Sequence, residues 1–562
     1  MKQDIGIGFS DFKKLREGNY YYIDKTLFIK NVMHSGEVIL CTRPRRFGKT
    51  LTLSMLQYFF DISQNNHSLF EGLAITQEPE YEKYAGKHPV IFVSLKGIKD
   101  NTWADAYENY QYILIELYNS HHYLLTSNKL SKDDKKSFQN ILSRKASQQA
   151  YAKAIYFLSE LLYRHHNQKV IILIDEYDSP IYPAYLNKFY KEAIGFLRTL
   201  MESALKDNKF LEKGVVSGIL RIVKESLFSG LNNPQISSIL NIDEFSDKIG
   251  FTETETFKML DDYDLSDKKT DVKYWYDGYL FGKISIYNPW SILNYVTNNE
   301  EGFKPYWVNT SDNALLRKLL LTGESNLREE INDLMEGKKL VRSLPEEITF
   351  SSLDNDKDAV FALLHSAGYL NAKLLPKPPE VRHLEYEVSI PNEEVISSYE
   401  KTIKYWLFED LNVKNNNYEK MLQYLMQGHY EPFEMFFERF FEQTVSTHDT
   451  KEGQTEVFYH ALFLGMVAQL GHLYIIKSNA ETGYGRYNIC MIPKKNSKYQ
   501  KGILIEIKLV RKENAYLTAL AAAEEQMNLN KYQTELDAHG ITEVFKLCIA
   551  AKGKEFQMKE IG

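Results

Sequence analysis

The sequence predicts a multidomain α/β protein, and three observations carry that prediction. In the first half, short apolar runs beginning at Val38, His88, Lys169 and Gly214 alternate with long amphipathic helical patterns, the signature of buried parallel strands joined by helices. In the last 120 residues or so a second set of strand-like runs, Tyr487–Ile492, Gly502–Leu509 and Phe545–Ala551, flanks an alanine-rich helical stretch from Asn514 to about Thr534. At 562 residues the chain is too long for one core, and about three or four domains are expected.

The first run sets the organisation. Val38–Thr50, VILCTRPRRFGKT, passes from a β-branched strand through a loop into the helical pattern LTLSMLQYFFD. Strand, loop and helix in that order make a phosphate-binding loop: backbone N–H groups and a helix N-terminus face the anion, Lys49 reaches the β- and γ-phosphates, and the Thr50 hydroxyl ligates Mg²⁺. The usual glycine five places before Gly48 is replaced by Arg43, with Pro44, Arg45, Arg46 and Phe47 following. Upstream, Phe9, Phe12 and Leu15 recur at helical spacing and YYYIDKT (Tyr20–Thr26) reads as strand or turn; both are expected to pack onto this domain.

Lys169–Asp178, KVIILIDEYD, is a buried strand whose C-terminal end presents two acids where open α/β sheets bind ligands. Asp175 is expected to hold Mg²⁺ through its water shell and Glu176 to polarise the attacking water. Gly214–Leu220 is a further strand ending at Arg221, which either touches a γ-phosphate or makes a surface salt bridge. The loop residues Arg45, Arg46, Gly48, Lys49 and Thr50, with Asp175 and Arg221, form the candidate ATP-binding set.

Domain boundaries are expected at 1–250 for this nucleotide domain, 251–345 for a small helical lid, 346–445 for a strand-rich and helical connector containing FALLHSAGYL, and 446–562 for the last domain. WYDGYLFG and IYNPWSIL supply turns and packing aromatics to the lid. There is neither an internal repeat nor a low-complexity tract.

In the last domain Thr455–Leu470 is apolar on nearly all faces and reads as a buried helix. In GILIEIKL, Glu506 and Lys508 alternate with isoleucines and so project from one face of a strand. Two charges on an apolar central strand are costly unless paired or metal-bound, which leaves a metal-dependent phosphodiesterase site or a buried ion pair. Seven basic residues between Met491 and Lys512 face Glu506 alone, which suits either a phosphate-tracking patch or a solvated loop.

Composition narrows the partners. The net charge of −7 excludes a uniformly basic surface, so nucleic-acid contact has to be local. Cys41, Cys490 and Cys548 are odd in number, far apart and without zinc spacing, as core thiols in a reducing compartment would be. No apolar run approaches the roughly 18 to 20 residues of a membrane helix and no leader is evident, so a cytoplasmic chain with no membrane contact is expected.

With both ends read, the whole chain resembles the prokaryotic family that joins an AAA-ATPase-like domain to a C-terminal PD-(D/E)XK nuclease-superfamily domain. The resemblance rests on YYIDKT, RPRRFGKT, LIDEYDSPI, ILRIVKESLFSGLNN, WYDGYLFG, IYNPWSIL, FYHALFLG, ETGYGRYN and IEIK. It implies a P-loop NTPase fold followed by a restriction-endonuclease-like α/β domain. It also implies that Lys49, Thr50, Asp175 and Glu176 handle ATP, and that Glu456, Glu506, Lys508 and Gln526 belong to a nuclease site. Where the superfamily has its metal-binding aspartate, in GRYD, this chain has Asn488, whose amide brings no charge and should weaken Mg²⁺ binding.

Three functions follow. The first is an ATPase coupled to a Mg²⁺-dependent nuclease acting on DNA rather than RNA, with Thr50 and Asp175 holding one metal and Asn488 and Glu506 another. The second is a nucleotide-driven switch whose nuclease-like domain only binds nucleic acid or a protein; the third is a scaffold. Asn488 fits an impaired nuclease, a binding-only domain, or a substitution introduced to trap an inactive form. A homo-oligomer is compatible with all of them.

Overall fold

The computed structural model describes residues 2–221, 234–307, 325–335, 337–346, 348, 352–353, 356–376, 383–405, 415–444, 463, 466–467, 469–478, 481–482, 485–486, 489–495, 497–510, 515–529, 533–552 and 555–561. Contacts divide the chain into two units, Met1–Ser311 with Val341–Val395, and Asp312–Leu340 with Ile396–Gly562.

The first unit is built on a parallel sheet of β1 (Val38–Thr42), β2 (Val90–Ser94), β3 (Val170–Asp175), β4 (Leu211–Gly218) and β5 (Gln235–Ser237). Its order is β2-β3-β4-β1-β5, so the strand lying between the lysine-bearing loop and the acidic strand end is β4, the fourth in sequence. Every residue of β1 and β3 is buried, as expected of strands covered on both faces. Register places Thr42 beside Gly218 and Ser94 beside Asp175, so the strands end on one line at their carboxyl edge.

The lead-in is tied down by polar contacts. Lys25 Nζ donates to both Glu255 oxygens at 2.7 and 2.6 Å and to the Asp247 carbonyl at 2.8 Å. Asp24 accepts from the Thr26 N–H and hydroxyl and from the Ala74 N–H. YYIDKT is therefore fastened to its surroundings by hydrogen bonds as well as by aromatic packing.

Residues 251–307 are mixed, not wholly helical. Helices Glu253–Asp262, Lys269–Tyr276 and Pro289–Thr297 accompany a small antiparallel sheet of Phe251–Thr252, Ile284–Tyr287 and Tyr279–Phe281. Their apolar core contains Met259, Val272, Tyr276, Tyr287, Ile292 and Tyr295. Gly278 is indispensable there: its φ is +107°, and a Cβ would stand 2.1 Å from the Pro391 carbonyl oxygen.

The run FALLHSAGYL belongs mostly to a helix, Lys357–Ala367, and not to a strand. An apolar run this short has no decisive period; the choice is made by Asp356, which caps the first N–H groups, and by Gly368 at φ +90° past the end. A hairpin of Asn371–Leu374 and Tyr386–Ser389 follows.

The second unit carries a five-stranded sheet in the order Tyr474–Ser478, Ile489–Pro493, Gly502–Leu509, Val544–Lys552, Glu555–Ile561. Only the pair Gly502–Leu509 and Val544–Lys552 is parallel. One face packs Ile503, Ile505 and Ile507 with helices Asn415–Gln427 and Tyr430–Thr444 through Met421, Leu425, Phe433 and Phe437. The other packs Leu504 and Cys548 against Leu520, Ala523 and Met527 of helix Tyr516–Leu529. Most of the expected helix 455–470 lies outside the described residues, but Phe463, Met466, Val467 and Leu470 are buried in the first of these cores. All three cysteines are buried and unbridged. Among the described residues, no helix is long and apolar enough to cross a membrane.

Candidate functional site: the phosphate loop and the Glu506–Lys508 pair

At the carboxyl edge of the first sheet the loop after β1 turns on two left-handed residues, Arg46 at φ 69° and Gly48 at φ 96°, before helix Lys49–Phe60 begins. Gly48 satisfies that conformation without cost. Phe47, buried between the rings of Tyr279 and Phe281 at 5.1 and 5.2 Å, anchors the loop. Arg45 and Arg46 are exposed, and the Arg46 guanidinium stacks 4.3 Å from the Trp290 ring centroid.

Arg43 is not a distorted phosphate-loop glycine. It is completely buried: Nη1 donates to the Thr42 and Ser237 carbonyls at 2.9 Å each, and Nη2 to Ser237 Oγ at 3.1 Å and the Phe245 carbonyl at 3.2 Å. This position has no left-handed φ, so the backbone has no need of glycine there. The guanidinium staples the end of β1 to the end of β5.

Lys49 is 6% exposed, and its Nζ donates to the Arg43 and Pro44 carbonyls at 3.0 and 2.9 Å. Burial pulls its pKa down, opposed by the charges of Glu176, Asp175 and Asp178, so three acids lie within electrostatic reach of the ammonium. Thr50 Oγ1 donates to Asp175 Oδ2 at 2.7 Å, and Ser217 Oγ to Asp175 Oδ1 at 2.6 Å. Asp175 is fully buried and joins the loop, the end of β3 and the end of β4. Glu176 takes the left-handed φ of 49° and accepts from Ser179 Oγ at 3.0 Å, a conformation rare for glutamate and typical of functional turns. The structure therefore brings Lys49, Thr50, Asp175 and Glu176 together. A hydroxyl and a carboxylate at the mouth of the loop form an oxygen donor set suited to Mg²⁺.

Arg221 pairs with Glu346 at 2.9 Å, the arrangement expected of its salt-bridge alternative. Ser217, Asp178 and Trp307 were not legible in the sequence. Trp307 is buried, donates from Nε1 to the Arg45 carbonyl at 3.3 Å and from its backbone N–H to Glu394 Oε1 at 2.7 Å. Glu394 Oε2 accepts from Ser291 Oγ at 2.7 Å, and burial raises this carboxyl to about 7. An acid whose folded pKa is raised stabilises fully below its unfolded value near 4.3, and that contribution is lost as pH rises through 7. Glu394 should thus cost this unit roughly 3–4 kcal/mol across that window. Urea unfolding as a function of pH checks it: Glu394→Gln should flatten the fall in stability between about pH 5 and 8, and an unchanged slope would refute the assignment.

In the second unit Glu506 is 1% exposed and Lys508 Nζ lies 3.1 Å from its Oε1, while the lysine keeps 22% of its side-chain surface. Register sets Glu506 beside Cys548, and Cys548 beside Lys559. Lys559 Nζ pairs with Glu524 Oε2 at 2.6 Å, and the Cys548 thiol is pushed up to about 12, mostly by burial and then by Glu506 and Glu524. Gln526 is half-buried on helix Tyr516–Leu529, which covers this face. Glu456 and Asn488 lie outside the described residues. Among the described residues, no group of three or more His, Cys, Asp or Glu side chains is arranged to hold a metal. Glu506 and Lys508 supply only a carboxylate and an amine on one face.

Residues 6–228 match the family model described as "Predicted AAA-ATPase", and residues 454–561 match that of the PD-(D/E)XK nuclease superfamily. The chain joins an AAA-ATPase-like domain to a PD-(D/E)XK nuclease-superfamily domain. The AAA-ATPase-like match holds the whole candidate nucleotide set, and the nuclease-superfamily match holds Glu456, Asn488, Glu506, Lys508 and Gln526. Across both domains the chain is 25% identical over 498 residues to the "Uncharacterized protein in vnfD 5'region" of Azotobacter chroococcum mcd 1, an alignment covering 87% of each.

Proposed function

We propose that the AAA-ATPase-like domain binds and hydrolyses ATP, and that the nuclease-superfamily domain cleaves a nucleic acid, DNA rather than RNA, under its control. The observation that carries this reading is the hydrogen bond of 2.7 Å from Thr50 to Asp175, with Lys49 within reach of the same carboxylate. Lys49 binds the β- and γ-phosphates, the loop N–H groups hold their oxygens, and the exposed Arg45 and Arg46 add positive charge at the mouth. Glu176 orients the attacking water, and Arg221 exchanges Glu346 for the γ-phosphate. Thr50 and Asp175 would hold Mg²⁺, which supplies charge neutralisation on the phosphate oxygens. Phosphate release from ATP by the full chain tests this half; none at any Mg²⁺ concentration would end it.

In the nuclease-superfamily domain Glu506 and Asn488 are the residues that would hold a divalent metal, Lys508 orients water against the phosphodiester, and Glu456 and Gln526 complete the site. Asn488 favours a second reading, in which this domain binds nucleic acid without cutting it, because an amide removes one of the charges a Mg²⁺ site relies on. Asn488→Asp should raise Mg²⁺-dependent DNA cleavage at least about tenfold, and Glu506→Ala in that background should abolish it. If Asn488→Asp cuts neither DNA nor RNA while wild type binds DNA with a steep salt dependence, the second reading stands. Both readings place the chain in the cytoplasm.

A further inference from the structure

The acidic strand end carries one carboxylate that the proposed chemistry does not use. Asp178 is buried, three residues beyond Asp175, and its Oδ2 accepts from the backbone N–H of Ile219 at 2.8 Å and of Leu220 at 2.9 Å. Tyr177 closes the same turn from the other side: its N–H donates to the Ser217 carbonyl at 3.1 Å and its hydroxyl to the Leu220 carbonyl. A side chain at Gly218 would meet the Tyr177 ring at 2.6 Å and Asp178 Oδ1 at 2.9 Å, so the close approach depends on that glycine. The Gly218 carbonyl in turn accepts the Arg43 N–H at 3.1 Å. The turn after β3 thus holds Ser217, Ile219 and Leu220 by hydrogen bonds and packs Tyr177 closely against Gly218, and the next residue is Arg221.

We propose that Asp178, with Tyr177, is a positioning residue for ATP hydrolysis: it clamps the end of β4 so that Arg221 is presented beside the phosphate loop. The proposal rests on the ATPase reading and extends it to residues outside the phosphate-binding set. Two backbone N–H groups converging on one carboxylate oxygen fix the peptide planes on either side of Ile219, the Tyr177 hydroxyl holds the Leu220 carbonyl next to Arg221, and Asp178 lies within electrostatic reach of Lys49, so the clamp spans the lysine and the arginine. Its contribution is geometric, made by an acceptor oxygen, so an isosteric amide can replace it.

The test is steady-state ATP hydrolysis by the full chain, with thermal unfolding to verify folding. Asp178→Ala should lower kcat by about 10- to 100-fold with KM for ATP within about threefold of wild type. Asp178→Asn, which keeps an acceptor oxygen, should restore most of kcat, and Tyr177→Phe should lower kcat more mildly without unfolding the chain. In an Arg221→Ala background, Asp178→Ala should add little further loss. Additive losses, or Asp178→Asn as damaging as Asp178→Ala, would overturn the clamp while leaving the ATPase reading intact. If Asp178→Ala does not fold, the Tyr177→Phe and Arg221→Ala cycle decides in the same way. A wild-type chain that binds ATP without turning it over would remove the ATPase reading, and the clamp's role in hydrolysis with it.

Discussion

Lys49→Ala should reduce ATP hydrolysis at least about 100-fold and weaken nucleotide binding, measured by phosphate release and by titration with a fluorescent ATP analogue. The ammonium is held at the centre of the site, bonded to two loop carbonyls and facing three acids, so it reaches the triphosphate already oriented and partly desolvated. Removing it takes away a buried cation within electrostatic reach of Asp175, Glu176 and Asp178 and leaves the site less favourable to a polyanion. Lys49→Arg should fail nearly as badly, because a planar fork cannot replace a compact ammonium in so closed a position. Hydrolysis within about threefold of wild type in Lys49→Ala would show that this loop does not handle the triphosphate.

Arg43→Ala should destabilise the first unit by about 3–5 kcal/mol, seen as a lowered urea midpoint. The substitution removes a buried guanidinium and strands three carbonyls and a hydroxyl that it satisfies. Arg43→Gly, which restores the familiar phosphate-loop spacing, should be no better, because what is missing is a donor and not backbone freedom. Arg43→Lys should recover only part of the loss, since the three donors of an ammonium cannot serve all four acceptors that the guanidinium fork reaches. A loss below about 1 kcal/mol for Arg43→Ala would mean that water satisfies these groups instead.

The placement of Lys49, Thr50, Asp175 and Glu176 at a loop and a strand end was legible because it depends on local order. A β-branched run before Gly-Lys-Thr forms a strand, a turn and a helix wherever it folds, and an apolar run ending in Asp175 and Glu176 puts acids at a sheet's edge. The strand that lies between those two elements was not legible, because strand neighbours are chosen by crossovers over distances that local pattern does not encode. The role of Arg43 was hidden for the same reason: Ser237 and Phe245, which explain it, are about 200 residues away in sequence. FALLHSAGYL lies mostly on a helix within a stretch expected to be strand-rich, because a short apolar run suits a buried helix as well as a strand.

What the sequence determined by itself is the set of chemically capable residues and their strand-end or loop placement, since period, turn residues and charge alternation are properties of neighbours along the chain. Only the tertiary structure decided which residues far apart in the chain meet: Thr50 with Asp175, Arg221 with Glu346, and Asp178 with the end of β4. The physical reason is that the value of a buried polar group lies in its partner, and the partner is supplied by the fold.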